Sequence, residues 1–139
     1  LFDVVVPVAR GRADYVKGNR LRHVERRRMP PPRRVGTAVL GWLTALAIGR
    51  PLGDSQCGYT AVSRAALERI ELDRLWPGYG YPNDLLGRLA RSGARIVEVP
   101  VRPVYRGEPS GMRPWHVLVI VFLIARAAVC RIGSSHVAQ

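Results

Sequence analysis

The chain begins with valines at helical spacing. Val4, Val5, Val6 and Val8 predict a helix over residues 3–11 despite Pro7, with Gly11 as its C-terminal cap. Residues 13–18 read as a short strand ending in a glycine turn. Residues 20–34 are strongly basic and carry Pro30, Pro31 and Pro32, a pattern that predicts a mobile loop outside the core. A helix follows over residues 36–48, with Val39, Leu40, Leu43, Leu46 and Ala47 as its apolar face. Residues 54–63 predict a loop and a short strand, residues 64–70 a helix, and residues 76–82 an aromatic loop. Asn83 is placed to cap the next helix, which carries Leu85, Leu86, Leu89 and Ala90 and closes at Gly93. Ile96, Val97, Val99, Val101 and Val104 then form a strand interrupted by Pro100 and Pro103, as at a sheet edge or bend. Helices and strands alternate without an internal repeat, so the class is α/β or α+β.

The C-terminal segment departs from this pattern. Residues 117–125 are an unbroken apolar run that resumes after Arg126 as far as Cys130. A spanning helix needs roughly twenty predominantly apolar residues; this run is shorter and has an arginine at its centre. With Trp115 and His116 at one end and Arg131 at the other, it suits a helix in contact with a membrane surface. A full span and a buried core helix are the alternatives. The expected organisation is a domain over residues 1–111, an apolar helix over 112–132 and a tail over 133–139.

Composition sharpens the picture. The 139 residues suffice for one domain with a core, and the 47% hydrophobic share excludes wholesale disorder. Lys and Arg number 22 against 10 acidic residues, for a net charge of +12, and Lys17 is the one lysine. Arginine's planar fork suits phosphate, so nucleic acid, phosphorylated substrates and anionic headgroups are all compatible partners; arginine-favouring codon usage explains the same excess without function. Cys57 and Cys130 have neither zinc-site nor disulfide-framework spacing.

Four local patterns carry the chemistry, in this order: Val16-Lys17-Gly18-Asn19-Arg20, Asp54-Ser55-Gln56-Cys57-Gly58-Tyr59, Tyr81-Pro82-Asn83-Asp84-Leu85-Leu86 and Val97-Glu98-Val99-Pro100-Val101. Their succession resembles family 2 glycosyltransferases of the GT-A fold, in the branch of the dolichyl- and polyprenyl-phosphate glycosyl synthases. The resemblance runs over residues 1–110. It implies an α/β chain forming the C-terminal part of a GT-A domain, followed by the apolar helix, with the nucleotide-binding half and the aspartate pair that holds a divalent cation (Mg or Mn) lying in a longer parent. The implied partners are a nucleotide-sugar donor, a lipid-phosphate acceptor and an anionic membrane surface, with no nucleic acid, at the cytoplasmic face of the membrane. The parent is then an enzyme, and the 139 residues alone are expected to be inactive.

The residues are consistent with that chemistry. Sugar transfer requires a departing diphosphate to be neutralised and an acceptor oxygen to be held in line with the anomeric carbon. Arg20, after a glycine at a strand end, is placed to hold phosphate; Lys17 assists or is a solvated strand residue. Asp54 and Gln56 fix hydroxyls or orient an acceptor, and Gly58 admits substrate to the backbone; the plain alternative is an Asx-turn. In the family, the acidic residue at the position of Asp84 faces the acceptor and can act as a general base, with Asn83 beside it. Helix capping alone also explains an Asn-Asp pair. Cys57 reads as a buried filler. The basic loop is either a solvated charge run or a grip on lipid phosphate. Tyr105, Glu108 and Ser110 match a family segment that lies over the site. No metal ligand is assigned within the chain.

Two other classes fit parts of the sequence. A nucleic-acid-binding module accounts for the charge, but no reader motif is present and the aromatics are not interleaved with the arginines. A non-catalytic membrane-surface protein accounts for the basic loop and the apolar tail. Sugar-nucleotide turnover separates it from a transferase.

Overall fold

A computed structural model of the chain describes residues 2–105 and 113–136, with the side chains of residues 114 and 134–136 left out. Glu108 and Ser110, and the expected boundary at 111/112, lie outside the described residues. The elements are α1 (Phe2–Ala9), β1 (Tyr15–Asn19), α2 (Pro31–Ile48), β2 (Thr60–Val62), α3 (Arg64–Leu67), α4 (Tyr81–Arg91), β3 (Ile96–Pro100) and α5 (Pro114–His136), with short 3-10 turns between some of them. The chain is therefore mixed α/β, as the alternation predicts.

The three strands form one sheet in the order β2-β1-β3. β1 pairs antiparallel with β2, Tyr15 opposite Val62, and parallel with β3, Tyr15 opposite Ile96. Every residue of β1 is buried because both sheet faces are covered. Tyr15 points into a core with Ile48, Leu52, Leu85, Leu86 and Leu89 from the α2 and α4 side. Val16 points the other way, against Val4 of α1, Ala13, Val99 and Val101. A fully buried leucine is worth about 1.5–3 kcal/mol, so the α4 leucines are the main anchor of that helix. This two-sided cover corrects one reading of Lys17: it is fully buried on the Tyr15 face, not a solvated strand residue.

The basic segment is also more ordered than its composition predicts. A 3-10 turn spans Arg26–Arg28, Met29 is buried, and α2 begins at Pro31, five positions before Gly36. Pro31 and Pro32 occupy the first helical positions, where a fixed φ helps and the missing N–H has no intrahelical partner to lose. Gly49 ends the helix at φ 68. The buried face of α2 is Thr37, Leu40, Gly41, Thr44, Ala47 and Ile48; Val39 and Leu46 face outward. Apolar spacing alone points to the large side chains, whereas the buried face also takes in the small or polar Thr37, Gly41 and Thr44.

α4 begins at Tyr81, three residues before the start that capping by Asn83 requires. Asn83 is buried within the first turn and makes no cap hydrogen bond. At the other end Gly93 turns the chain with φ 77, as expected. β3 starts where Asp14 is clamped to Arg95: the carboxylate accepts from the Arg95 backbone N–H at 2.8 Å and from its guanidinium at 3.1 and 3.2 Å. These bonds hold the Asp14 carboxyl down at about 2. A lowered folded-state value means that the clamp's stabilisation is complete above the ordinary value near 3.8 and is lost as pH falls toward 2. The urea midpoint of Asp14→Asn should fall below wild type at pH 5 and converge with it near pH 2; a gap independent of pH would refute the linkage.

α5 packs on α2 and α4 behind the sheet. Ile120 and Ile124 meet Leu40 and Ala47 of α2, while a Cβ at Gly80 would strike Leu123 and one at Gly87 would touch Ala127. Its first turn is fixed by His116, which stacks on Tyr79 with ring centroids 3.8 Å apart. Arg126, which interrupts the apolar run, turns inward to Asp84.

Candidate functional site

The end of β1 and the loop over residues 53–57 build the site. Asn19 accepts the backbone N–H groups of Leu21 and Arg22 at 2.9 and 3.1 Å, which turns the chain sharply and sends Arg20 toward the loop. Asp54 receives it. Its fully buried carboxylate accepts from Arg20 Nε at 2.8 Å, Arg20 Nη2 at 3.0 Å, Arg20 N at 3.1 Å and Gln56 N at 3.1 Å. This is a two-pronged pair in a water-poor setting, the geometry in which arginine and carboxylate bind most strongly. Burial opposes the charge on Arg20, but the bonds to Asp54 outweigh it and hold the guanidinium above its ordinary pKa. Arg20 Nη1 also donates to Tyr105 Oη at 3.1 Å.

The loop itself is held from three sides. Glu98 of β3 accepts from Gly53 N at 2.9 Å and Asp54 N at 3.0 Å. Lys17 of β1 donates from Nζ to the Cys57 carbonyl at 2.9 Å. α2 lies so close that a Cβ on Gly41 would stand 2.2 Å from the Gly53 carbonyl oxygen. Glu98 appeared in the sequence only as part of a motif, and Gly41 not at all. The usable signal for Glu98 was a single carboxylate in an otherwise apolar strand.

Burial pushes the Lys17 ammonium down to about 8. The unfolded chain holds its proton up to about 10.5, so it binds more protons than the folded chain between these values, and stability contributed at this position rises with pH across that window. Relative to Lys17→Met, wild type should therefore gain stability from pH 8 to pH 10, measured as the difference in urea midpoints. A constant difference would show that the amine is not carrying the buried charge.

Two clefts meet at Arg20. The first, of about 420 Å³, is lined by Arg20, Gln56, Arg33 and Tyr105 together with Met29, Leu40 and Val117, and so takes in residues from the N-terminal halves of α2 and α5. Arg33 lies over the Tyr105 ring at 5.3 Å. The second, of about 390 Å³, is lined by Arg20, Tyr105, Gly58, Tyr59 and Arg102. Gly58 faces open space there, with nothing but its own chain neighbours within 4 Å of where a Cβ would stand among the described residues.

Asp84 is elsewhere in its bonding. Its carboxylate accepts from Trp76 N at 2.9 Å, from Arg88 Nε at 3.2 Å and from Arg126. These bonds, led by the Trp76 backbone N–H and Arg126, overcome burial and lower its pKa. The structure thus joins Arg20, Asp54 and Gln56 directly, and reaches Asn83 through a long 3.4 Å contact from Gln56 Nε2 to Asn83 Oδ1. Asn83 Nδ2 is buried without a partner among the described residues. Lys17 belongs to the loop's support, and Asp84 faces the α5 side. Among the described residues no three His, Cys, Asp or Glu side chains gather as metal ligands.

The comparisons with known proteins now bear on this geometry. No family model matches the chain, and no solved structure matches it significantly. Two curated proteins do. Over 131 residues the chain is 28% identical to the UDP-N-acetylglucosamine–dolichyl-phosphate N-acetylglucosaminyltransferase of Methanococcus voltae, an overlap of 94% of the chain and 52% of that protein. Over 62 residues it is 42% identical to the undecaprenyl-phosphate mannosyltransferase of Micrococcus luteus, covering 44% of the chain and 26% of that protein. The chain is similar to polyprenyl-phosphate glycosyltransferases. Both relatives bear that activity in their names, which agrees at this coarse level with the resemblance read from the four motifs. The chain spans about half the length of the first relative and less of the second.

Proposed function

We propose that these residues are the acceptor-binding part of a longer glycosyltransferase of family 2, with a GT-A fold, that moves a sugar from a nucleotide donor to a polyprenyl phosphate. The observation that carries the reading is the first cleft, whose lining combines polar and charged groups, Arg20, Gln56 and Tyr105, with the apolar side chains of Met29, Leu40 and Val117. An acceptor with a phosphate head and a hydrocarbon tail has that same division. Both relatives' names specify such an acceptor.

In this reading Arg20 holds the acceptor phosphate, and Asp54 aims the guanidinium rather than touching substrate. The attacking phosphate oxygen is already ionised near neutral pH, so no carboxylate has to remove a proton from it. A new bond forms between that oxygen and the anomeric carbon as the bond to the departing nucleoside diphosphate breaks, and the electron pair leaves with the diphosphate. Arg102, Tyr59 and Gly58 line the second cleft, which shares Arg20 and Tyr105 with the first and is assigned to the donor groups. Gln56 lines the acceptor cleft as an orienting amide, with the buried Asn83 behind it. Asp84 is assigned a bracing role between α4 and α5, in place of the general base that the motif implies. The nucleotide pocket and a divalent cation belong to the longer protein; the described residues do not form a metal cluster, and no step is drawn through one. The cytoplasmic face of the membrane is part of the same proposal.

The test uses the intact protein, membrane vesicles and labelled nucleotide sugars. Label should enter an organic-extractable lipid product, and Arg20→Ala should reduce it roughly 100-fold. Turnover that does not depend on added polyprenyl phosphate, or an unchanged Arg20→Ala rate, would overturn the proposal.

A further inference from the structure

The two clefts have Arg20 and Tyr105 in common, so these side chains form the border between them. Arg20 is already committed: Asp54 holds the Nε and Nη2 edge of its guanidinium. Tyr105 supplies the bulk. The chain leading to it from β3 is fixed at two points, where Val101 N donates to the Asn19 carbonyl at 3.1 Å and where Pro103 is fully buried.

The ring itself is held from two further directions. Its hydroxyl accepts from Arg20 Nη1 at 3.1 Å, and the Arg33 guanidinium of α2 lies over its face, 5.3 Å from the centre. A donor at the rim and a cation over the face together restrict both the position and the tilt of an aromatic ring. Three separate parts of the chain, the end of β1, the first turn of α2 and the exit of β3, therefore converge on one side chain. Among the described residues no group accepts the proton of the Tyr105 hydroxyl, which leaves that proton free for a ligand oxygen brought to Arg20.

A ring at this border has a chemical consequence. With acceptor in one cleft and donor in the other, the anomeric carbon meets its nucleophile where the clefts adjoin. Water is a smaller rival for the same carbon. In hydrolysis a water oxygen forms the new bond, the bond to the nucleoside diphosphate breaks with its electron pair, and the surplus proton of the water passes to solvent. The product is free sugar, and the donor is wasted. The hold of Arg20 on an anion does nothing against that step, whereas a ring filling the border keeps water from the point of attack.

We infer that Tyr105 is the partition between the two clefts: its ring excludes water from the sugar-bearing side, and its hydroxyl joins Arg20 on the acceptor phosphate. The inference rests on the assignment of the clefts to acceptor and donor, and it adds a control over which nucleophile reacts.

The experiment uses the intact protein and a panel of UDP- and GDP-linked sugars labelled in the sugar, with and without undecaprenyl phosphate in detergent micelles. Label is counted separately as lipid-linked and as free sugar. Tyr105→Ala should raise the ratio of free to lipid-linked sugar roughly tenfold, and should raise acceptor-free release by a similar factor. Tyr105→Phe keeps the ring, so the ratio should stay at the wild-type level while the KM for undecaprenyl phosphate rises roughly fivefold. Arg33→Gln unpins the ring without altering it and should move the ratio in the same direction as Tyr105→Ala; it replaces that variant if Tyr105→Ala does not fold. An unchanged ratio in whichever of these two folds, or an equal rise in Tyr105→Phe, would overturn the partition. Lipid-linked product with no change in ratio refutes only this inference. Acceptor-free release that rises in Tyr105→Ala but not in Tyr105→Phe, with no lipid-linked product from any donor, refutes only the functional reading. No product of either kind from any donor refutes both.

Discussion

Asp54→Asn is expected to remove most transfer activity from the intact protein, roughly 100-fold in kcat/KM for the lipid phosphate. The reasoning is geometric. Both carboxylate oxygens are engaged: Oδ2 by Arg20 N and Nε, Oδ1 by Arg20 Nη2 and Gln56 N. An asparagine must turn its NH₂ toward one set of donors, so one of the two prongs becomes a clash of hydrogens, and a buried guanidinium loses its counter-charge. Breaking a buried pair by removing one partner costs roughly 3 kcal/mol, so a fold control is part of the test. Arg20→Lys supplies a second readout. It keeps the charge but not the fork, and the loss should fall mainly on the KM for polyprenyl phosphate. If Asp54→Asn folds and turns over like wild type, Arg20 is not being aimed by Asp54 and the assigned site is wrong.

The sequence made the strands legible and the linkages between them less so. Val16, Val99 and the short Thr60–Val62 segment announce β-structure by residue type, and they do share one sheet. Arg20 and Asp54 were singled out separately from two motifs; that they form one bidentate pair is a fact about a loop folding back across 34 positions, which no local pattern encodes. Lys17 was misread because alternation assigns a face without saying whether that face is covered. The bond from Arg126 to Asp84 is equally hidden, because helix α5, which supplies it, is remote in sequence. The proline run illustrates the same limit: composition says loop, yet prolines at first-turn positions open a helix of 18 residues. Val39 and Leu46 show a related limit: apolarity assigns them to the core, yet the fold leaves both exposed.

Gly41 offers the largest stability effect among the described glycines of α2, and it links the fold to the site. The residue is helical, where replacing glycine by alanine in open surroundings stabilises by about 0.5–1 kcal/mol through lower backbone entropy. Gly36, five positions earlier on the same helix, is in such surroundings, with nothing within 4 Å of a new Cβ. At Gly41 the Cβ would meet the Gly53 carbonyl oxygen at 2.2 Å and its carbon at 2.6 Å, with Asp54 N at 3.3 Å. These are backbone atoms that cannot rotate away, and their loop is tied by Glu98 on the far side. Either α2 backs off from the sheet side or the loop moves and takes Asp54 with it. The expected cost is about 3 kcal/mol, so Gly41→Ala should lower the urea midpoint while Gly36→Ala raises it. Where Gly41→Ala still folds, transfer should fall further than the folded fraction does, because the displaced loop no longer presents Asp54 to Arg20. Equal midpoints for the two variants would show that α2 does not press on this loop, and activity in proportion to the folded fraction would uncouple that contact from the site.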